Sequence, residues 1–145
     1  MLEKITELYY LNDDNSPAYI LTLGNPRAAL ISGKLHVTIF GAKLNTEYKL
    51  FINSRTVDGY EVTELRQLNI NTSELTVDSE SMLDNNSFIL NASFDIPIEV
   101  ITTGNTCITN LSLTKNNEEL DSSQTYNIVK LVPNVKPGPM MSDFK

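Results

Sequence analysis

Acid–base and nucleophilic chemistry at neutral pH rests most often on histidine and cysteine, and this sequence holds one of each, His36 and Cys107. Nothing in the sequence brings the two together. His36 lies in Leu35-His36-Val37-Thr38-Ile39-Phe40, where it alternates with three aliphatic residues and belongs to the opposite, less buried face of a strand. Cys107 falls in another apolar-alternating run and reads as a small buried hydrophobe. A single cysteine allows neither an internal disulfide nor a zinc set. Two oxygen-rich segments remain, Asn12-Asp13-Asp14-Asn15 and Glu118-Glu119-Leu120-Asp121. Neither has the alternate ligand spacing and sixth-position glycine of an EF-hand loop, so both read as solvated turns. The six glycines are scattered singly, which leaves no phosphate-cradling loop. These observations predict a chain with no catalytic set, no metal site and no cofactor.

Composition narrows the partners. The chain has 145 residues, 41% hydrophobic and 20% charged, enough apolar material for the core of one domain. A net charge of −7 opposes binding to nucleic acid and to anionic membrane surfaces. The first residues lack an apolar run preceded by basic ones, and no stretch approaches a membrane span. Four Asn-x-Ser/Thr sequons, at Asn71, Asn85, Asn91 and Asn110, are what chance gives in a sequence this rich in Asn, Ser and Thr.

Period-two alternation dominates, and helical periodicity is nearly absent. Strands are predicted at 4–11, 18–23, 35–40, 48–52, 60–65, 66–70, 74–78, 87–94, 96–101, 106–114 and 125–132. Asn, Asp, Ser, Gly or Pro separate most of them, as turn chemistry requires. Residues 78–86 could cap one helical turn, and 115–125 read as a polar loop. The fold class expected is all-β: a single antiparallel β-sandwich over residues 1–132, Ig-like, with a jelly roll as the alternative. Residues 133–145 hold Pro133, Pro137 and Pro139 and read as an extended C-terminal arm. Its apolar end, Met140, Met141 and Phe144, suits docking on a neighbouring subunit.

The run Gly41-Ala42-Lys43-Leu44-Asn45-Thr46-Glu47-Tyr48 resembles the tyrosine corner of fibronectin type III and other immunoglobulin-like domains. Leu120 to Tyr126 repeats the Leu-to-Tyr spacing. The resemblance implies that Tyr48 and Tyr126 each turn back over the preceding loop and bond a backbone group there. Ala42 and Leu44 depart from the family's Leu and Pro, and the resemblance carries no activity.

Two functions follow. The first is a non-enzymatic assembly protein, similar in style to the sandwich modules of bacteriophage virions (head decoration, collar or tail), with other protein subunits as partners. The alternative is a carbohydrate- or ligand-binding sandwich on a bacterial surface protein or a larger enzyme. Tyr9, Tyr10, Tyr19, Tyr60 and a few Phe are its candidate sugar platforms, and the absence of Trp counts mildly against it.

Overall fold

The computed structural model describes residues 2–23, 30–99 and 106–131. Nine strands account for most of them: β1 (Lys4–Leu11), β2 (Pro17–Ala18), β3 (Ile20–Leu23), β4 (Leu30–Lys43), β5 (Glu47–Thr56), β6 (Glu61–Asn71), β7 (Ser87–Glu99), β8 (Thr106–Lys115) and β9 (Glu118–Leu131). They form two sheets, a four-stranded one ordered β2-β1-β4-β7 and a five-stranded one ordered β3-β9-β8-β5-β6. The protein is an all-β sandwich. Pairing is antiparallel except between β3 and β9, which run parallel from Ile20↔Ile128 to Leu23↔Leu131. That pair corrects the expectation of a purely antiparallel sandwich. The first segment crosses from one sheet to the other between β2 and β3, so its second half arrives running the same way as β9.

Alternation places the core. Leu35, Val37 and Ile39 of β4 face Leu50 and Ile52 of β5 and Leu111 and Leu113 of β8, all essentially without solvent exposure. Phe88, Leu90, Ile96 and Ile98 of β7 complete it. Full burial of each such side chain contributes about 2 kcal/mol from the hydrophobic effect. The β4 alternation breaks once, at a bulge between Phe40 and Ala42, where Gly41 takes φ of 84°, a conformation that glycine adopts without strain.

Several boundaries differ from the sequence reading. The segment 115–125 is not a loop: Asn116 and Asn117, both at positive φ, make a two-residue hairpin turn, and β9 starts at Glu118. The predicted pairs 60–65 with 66–70 and 87–94 with 96–101 are single strands, β6 and β7. Residues 74–78 form no strand; Glu74 ends a 3-10 turn at Thr72–Glu74, and a second turn at Ser79–Ser81 replaces the helical turn expected over 78–86. The predicted arm, with Met140, Met141 and Phe144, lies outside the described residues.

Candidate ligand-binding face

The two tyrosines singled out by the corner pattern end in different surroundings. Tyr48 opens β5 fully buried, and its hydroxyl accepts the Lys43 amide N–H at 2.8 Å, five residues back. The same hydroxyl donates to Glu3 Oε2 at 2.7 Å. Lys115 Nζ donates to that oxygen at 3.1 Å. The group joins the start of β1, the β4–β5 turn and the end of β8. Burial, with the Glu3 carboxylate beside it, raises the Tyr48 phenol above its ordinary range, so it stays protonated and donates. Tyr126 turns back over nothing. The residues before it are strand, not loop; it stands in the middle of β9, half exposed, and its hydroxyl accepts from Gln124 Nε2 at 3.0 Å. The expected second corner is therefore an outward-facing tyrosine.

Burial pushes the Glu3 carboxyl up, but donation from Tyr48 and Lys115 outweighs it and the group sits below its ordinary value of 4.5. A carboxyl lowered on folding stabilises the fold above its unfolded value, and that stability drains away as pH falls through the folded one. Urea midpoints are expected to fall steadily below pH 4.5, and Glu3→Gln should flatten that acid limb while lowering the neutral plateau. An unchanged acid slope in Glu3→Gln would remove Glu3 from this account.

The outer face of the four-stranded sheet carries His36. Its Nε2 lies 2.9 Å from Thr38 Oγ1 and 3.3 Å from Glu7 Oε1, and its ring packs on Tyr9 with centroids 5.0 Å apart. Thr38 Oγ1 donates to Glu7 Oε1 at 2.8 Å and lies 2.6 Å from the Asn91 amide. A hydroxyl has one proton, so the Asn91 nitrogen turned toward Thr38 satisfies every group. In a hydrolytic triad the carboxylate holds the imidazole nitrogen opposite the nucleophile. Here carboxylate and hydroxyl share one nitrogen, which is a pinning arrangement and not a proton relay. Cys107 points into the core from β8, on the other sheet, and burial pushes its thiol up. Among the described residues no three metal-ligating side chains gather, and no helix is long and apolar enough to cross a membrane.

The acidic segments serve the fold. Asp14 accepts Ser16 N–H at 3.0 Å within its turn. Asp121 accepts Ile5 N–H at 2.8 Å from the facing sheet. Glu119 accepts Ser112 Oγ–H at 2.7 Å.

A different face collects binding chemistry. With Leu50, Ile52, Leu111 and Leu113 turned inward, the intervening residues of β5, β8 and β9 must turn outward. Register then lines up Asn53, Asn110 and Gln124 as one row of three amides across three strands. One row to one side stand Phe51, Ser112 and Ser122, and one row to the other stand Arg55, Ile108 and Tyr126. Strand spacing makes each row about 10 Å wide, and the two flanking rows lie about 13 Å apart along the strands. A groove of about 430 Å³ runs over this surface, with Leu65 of β6 at its edge. Asn53 and Asn110 make no side-chain hydrogen bond among the described residues, so their amides face the groove uncommitted. Sequence reasoning missed this row because it exists only once three separate strands are in register. The alternating Phe51-x-Asn53, Asn110-x-Ser112 and Ser122-x-Gln124-x-Tyr126 were its signal.

No protein-family model and no curated protein matches the sequence. Solved structures do match the fold. An adhesin from Mobiluncus mulieris, containing intramolecular disulfide, isopeptide and ester bond cross-links, superposes with a TM-score of 0.61 at 6% identity, covering 90% of this chain and 58% of that one. A β-glucuronidase of glycoside hydrolase family 2 gives 0.52 at 9% identity over 86% of this chain and 12% of its own. A family 2 glycosyl hydrolase from Bacteroides cellulosilyticus gives 0.53 at 4%, over 86% and 15%. The chain thus spans little more than half of the adhesin and a small part of either hydrolase. At these identities the likeness is one of fold. None of the three is a virion protein, and they lend no support to the head-decoration, collar or tail reading.

Proposed function

We propose that this chain is a non-catalytic β-sandwich module of a larger bacterial surface protein or enzyme, and that it binds carbohydrate on the outer face of its five-stranded sheet. The row Asn53–Asn110–Gln124 carries this reading. Asn53 and Asn110 each present one acceptor and two donors without net charge, and Gln124, with one donor held by Tyr126, adds an acceptor and its second donor, a set that suits hydroxyls that both donate and accept. Phe51 in the groove, and Tyr126 one outward position beyond Gln124 on the same face, offer rings on which the apolar faces of sugar rings can rest. The neighbours support it in kind, since sandwich modules of this shape occur within an adhesin and within glycoside hydrolases. The pinned His36 cluster and the buried Cys107 supply no catalytic set, in keeping with a binding role.

The test is a glycan array followed by chemical-shift mapping of whichever oligosaccharide is retained. Shifts are expected on β5, β8 and β9. Asn53→Ala together with Asn110→Ala should weaken binding at least tenfold without changing the melting temperature, because both side chains face solvent. An array without a single retained glycan, or shifts confined to β1, β4 and β7, would refute the reading.

A further inference from the structure

Phe51 lines the groove of the sheet face. The next outward residue of β5 is Lys49, and it lines a second cleft of about 470 Å³ between the β4–β5 turn and the β8–β9 turn. Lys115 also lines it, with Asn45, Asn116 and Asn117. These three asparagines hold positive φ, so turn geometry fixes their place at the cleft. The cleft's charge is unlike that of the chain. The molecule carries −7, yet two lysines line this cleft, with one carboxylate, Glu47, in its lining and a second, Glu3, paired with Lys115. Glu3 lies behind Lys115 and accepts one of its donors at 3.1 Å, which orients the ammonium and leaves two donors for a ligand. Lys49 is exposed and forms no ion pair among the described residues. A concave site focuses the field of such charges onto what enters it.

We propose that this cleft seats the acidic group of an anionic saccharide, so that the ligand of the sheet face is a uronic-acid-containing glycan and not a neutral one. The inference rests on the carbohydrate reading above. It adds that the residues lying over Phe51, Ser112 and Ser122 lead directly to a carboxylate held between Lys49 and Lys115. Neutral sugar hydroxyls meet the amides of the groove, and the acid meets the lysines.

The probes are tetragalacturonate and tetraguluronate, each beside its carboxyl-reduced counterpart, with a chondroitin sulfate tetrasaccharide to separate sulfate from carboxylate. Calorimetry on the intact chain should find an acidic probe bound at least tenfold tighter than its reduced form, with affinity falling as salt rises. Lys49→Gln should weaken acid binding about fivefold, whereas Glu47→Gln should strengthen it. Opposite signs from two exposed neighbours are not what a folding defect produces, and Lys115 is left intact because Glu3 depends on it. Equal binding of acidic and reduced forms, or binding indifferent to both substitutions, overturns the inference and leaves the carbohydrate reading standing. Preference for the sulfated probe overturns the assignment of carboxylate. If neutral glycans bind the face while no acidic one does, the inference alone fails; if no glycan of any kind binds, both fail.

Discussion

Tyr48→Phe is expected to lower the stability of the domain by about 3 kcal/mol, a large loss for the removal of one oxygen. The hydroxyl has two jobs at once. It accepts the Lys43 amide, which becomes an unpaired donor near the bottom of the sandwich when the oxygen is gone. It also donates to Glu3, whose carboxylate is then held by Lys115 alone in a site with little water. Each unsatisfied buried group costs about 1–3 kcal/mol, more when charged, and the packing of the ring is unchanged. Tyr126→Phe is the control. Its hydroxyl is exposed and bonded only to Gln124, so the denaturant midpoint should not move measurably. A Tyr48→Phe chain as robust as the wild type would mean that water or a rearranged Lys115 replaces the corner.

Gly33→Ala should be comparably damaging, for a steric reason. A methyl group at this point of β4 would lie 2.7 and 2.8 Å from two ring carbons of Tyr10 and 3.0 Å from Ile98 Cδ1. Tyr10 is itself 1% exposed, with nowhere to retreat. Its hydroxyl is 3.0 Å from Thr109 Oγ1, which in turn is 2.6 Å from Ser54 Oγ. This hydroxyl chain links the four-stranded sheet to β8 and β5 through the core. Moving the ring therefore strains the packing and pulls on the chain together. Overpacking of this kind costs about 3 kcal/mol. In a domain this size that is about 10 °C of melting temperature. Melting within a degree or two of the wild type would show that β4 and β1 can part locally at little cost.

Much of the fold was legible because burial and alternation agree. Leu35, Val37 and Ile39 announce a half-buried strand by themselves, and so do Tyr48, Leu50 and Ile52. β9 failed that test for a physical reason. Between Glu118 and Thr125 both of its faces are largely polar, because Asp121 turns inward to accept Ile5 N–H and Ser122 and Gln124 line the groove. Such a strand is specified by its partners, and no period in its own sequence declares it. The same holds for the parallel pairing of β3, whose four residues could have joined either edge of β1 or β9. The first tyrosine corner could be read locally because its hydrogen bond spans five residues. The second could not be excluded locally, since the Leu-to-Tyr spacing is the same and only the turn at Asn116-Asn117 removes the loop that Tyr126 was to cover. The amide row was invisible for a further reason: Asn53, Asn110 and Gln124 are far apart in the chain, and two rounds of register bring them into line.

The parallel pairing of β3 with β9 has a mechanical side. β1 and β9 leave the end of the sandwich marked by Glu3, Tyr48 and Lys115 and run in the same direction, one in each sheet, so the described chain enters at one end and departs at the other. Tension between those two points lies along the strands. Under that load the ladder from Ile20↔Ile128 to Leu23↔Leu131 is sheared as a set, and its hydrogen bonds must give way together, where a hairpin pulled from its open end would release them singly. A load applied between Lys4 and Leu131 is thus met by the whole β3–β9 ladder and not by one hydrogen bond at a time.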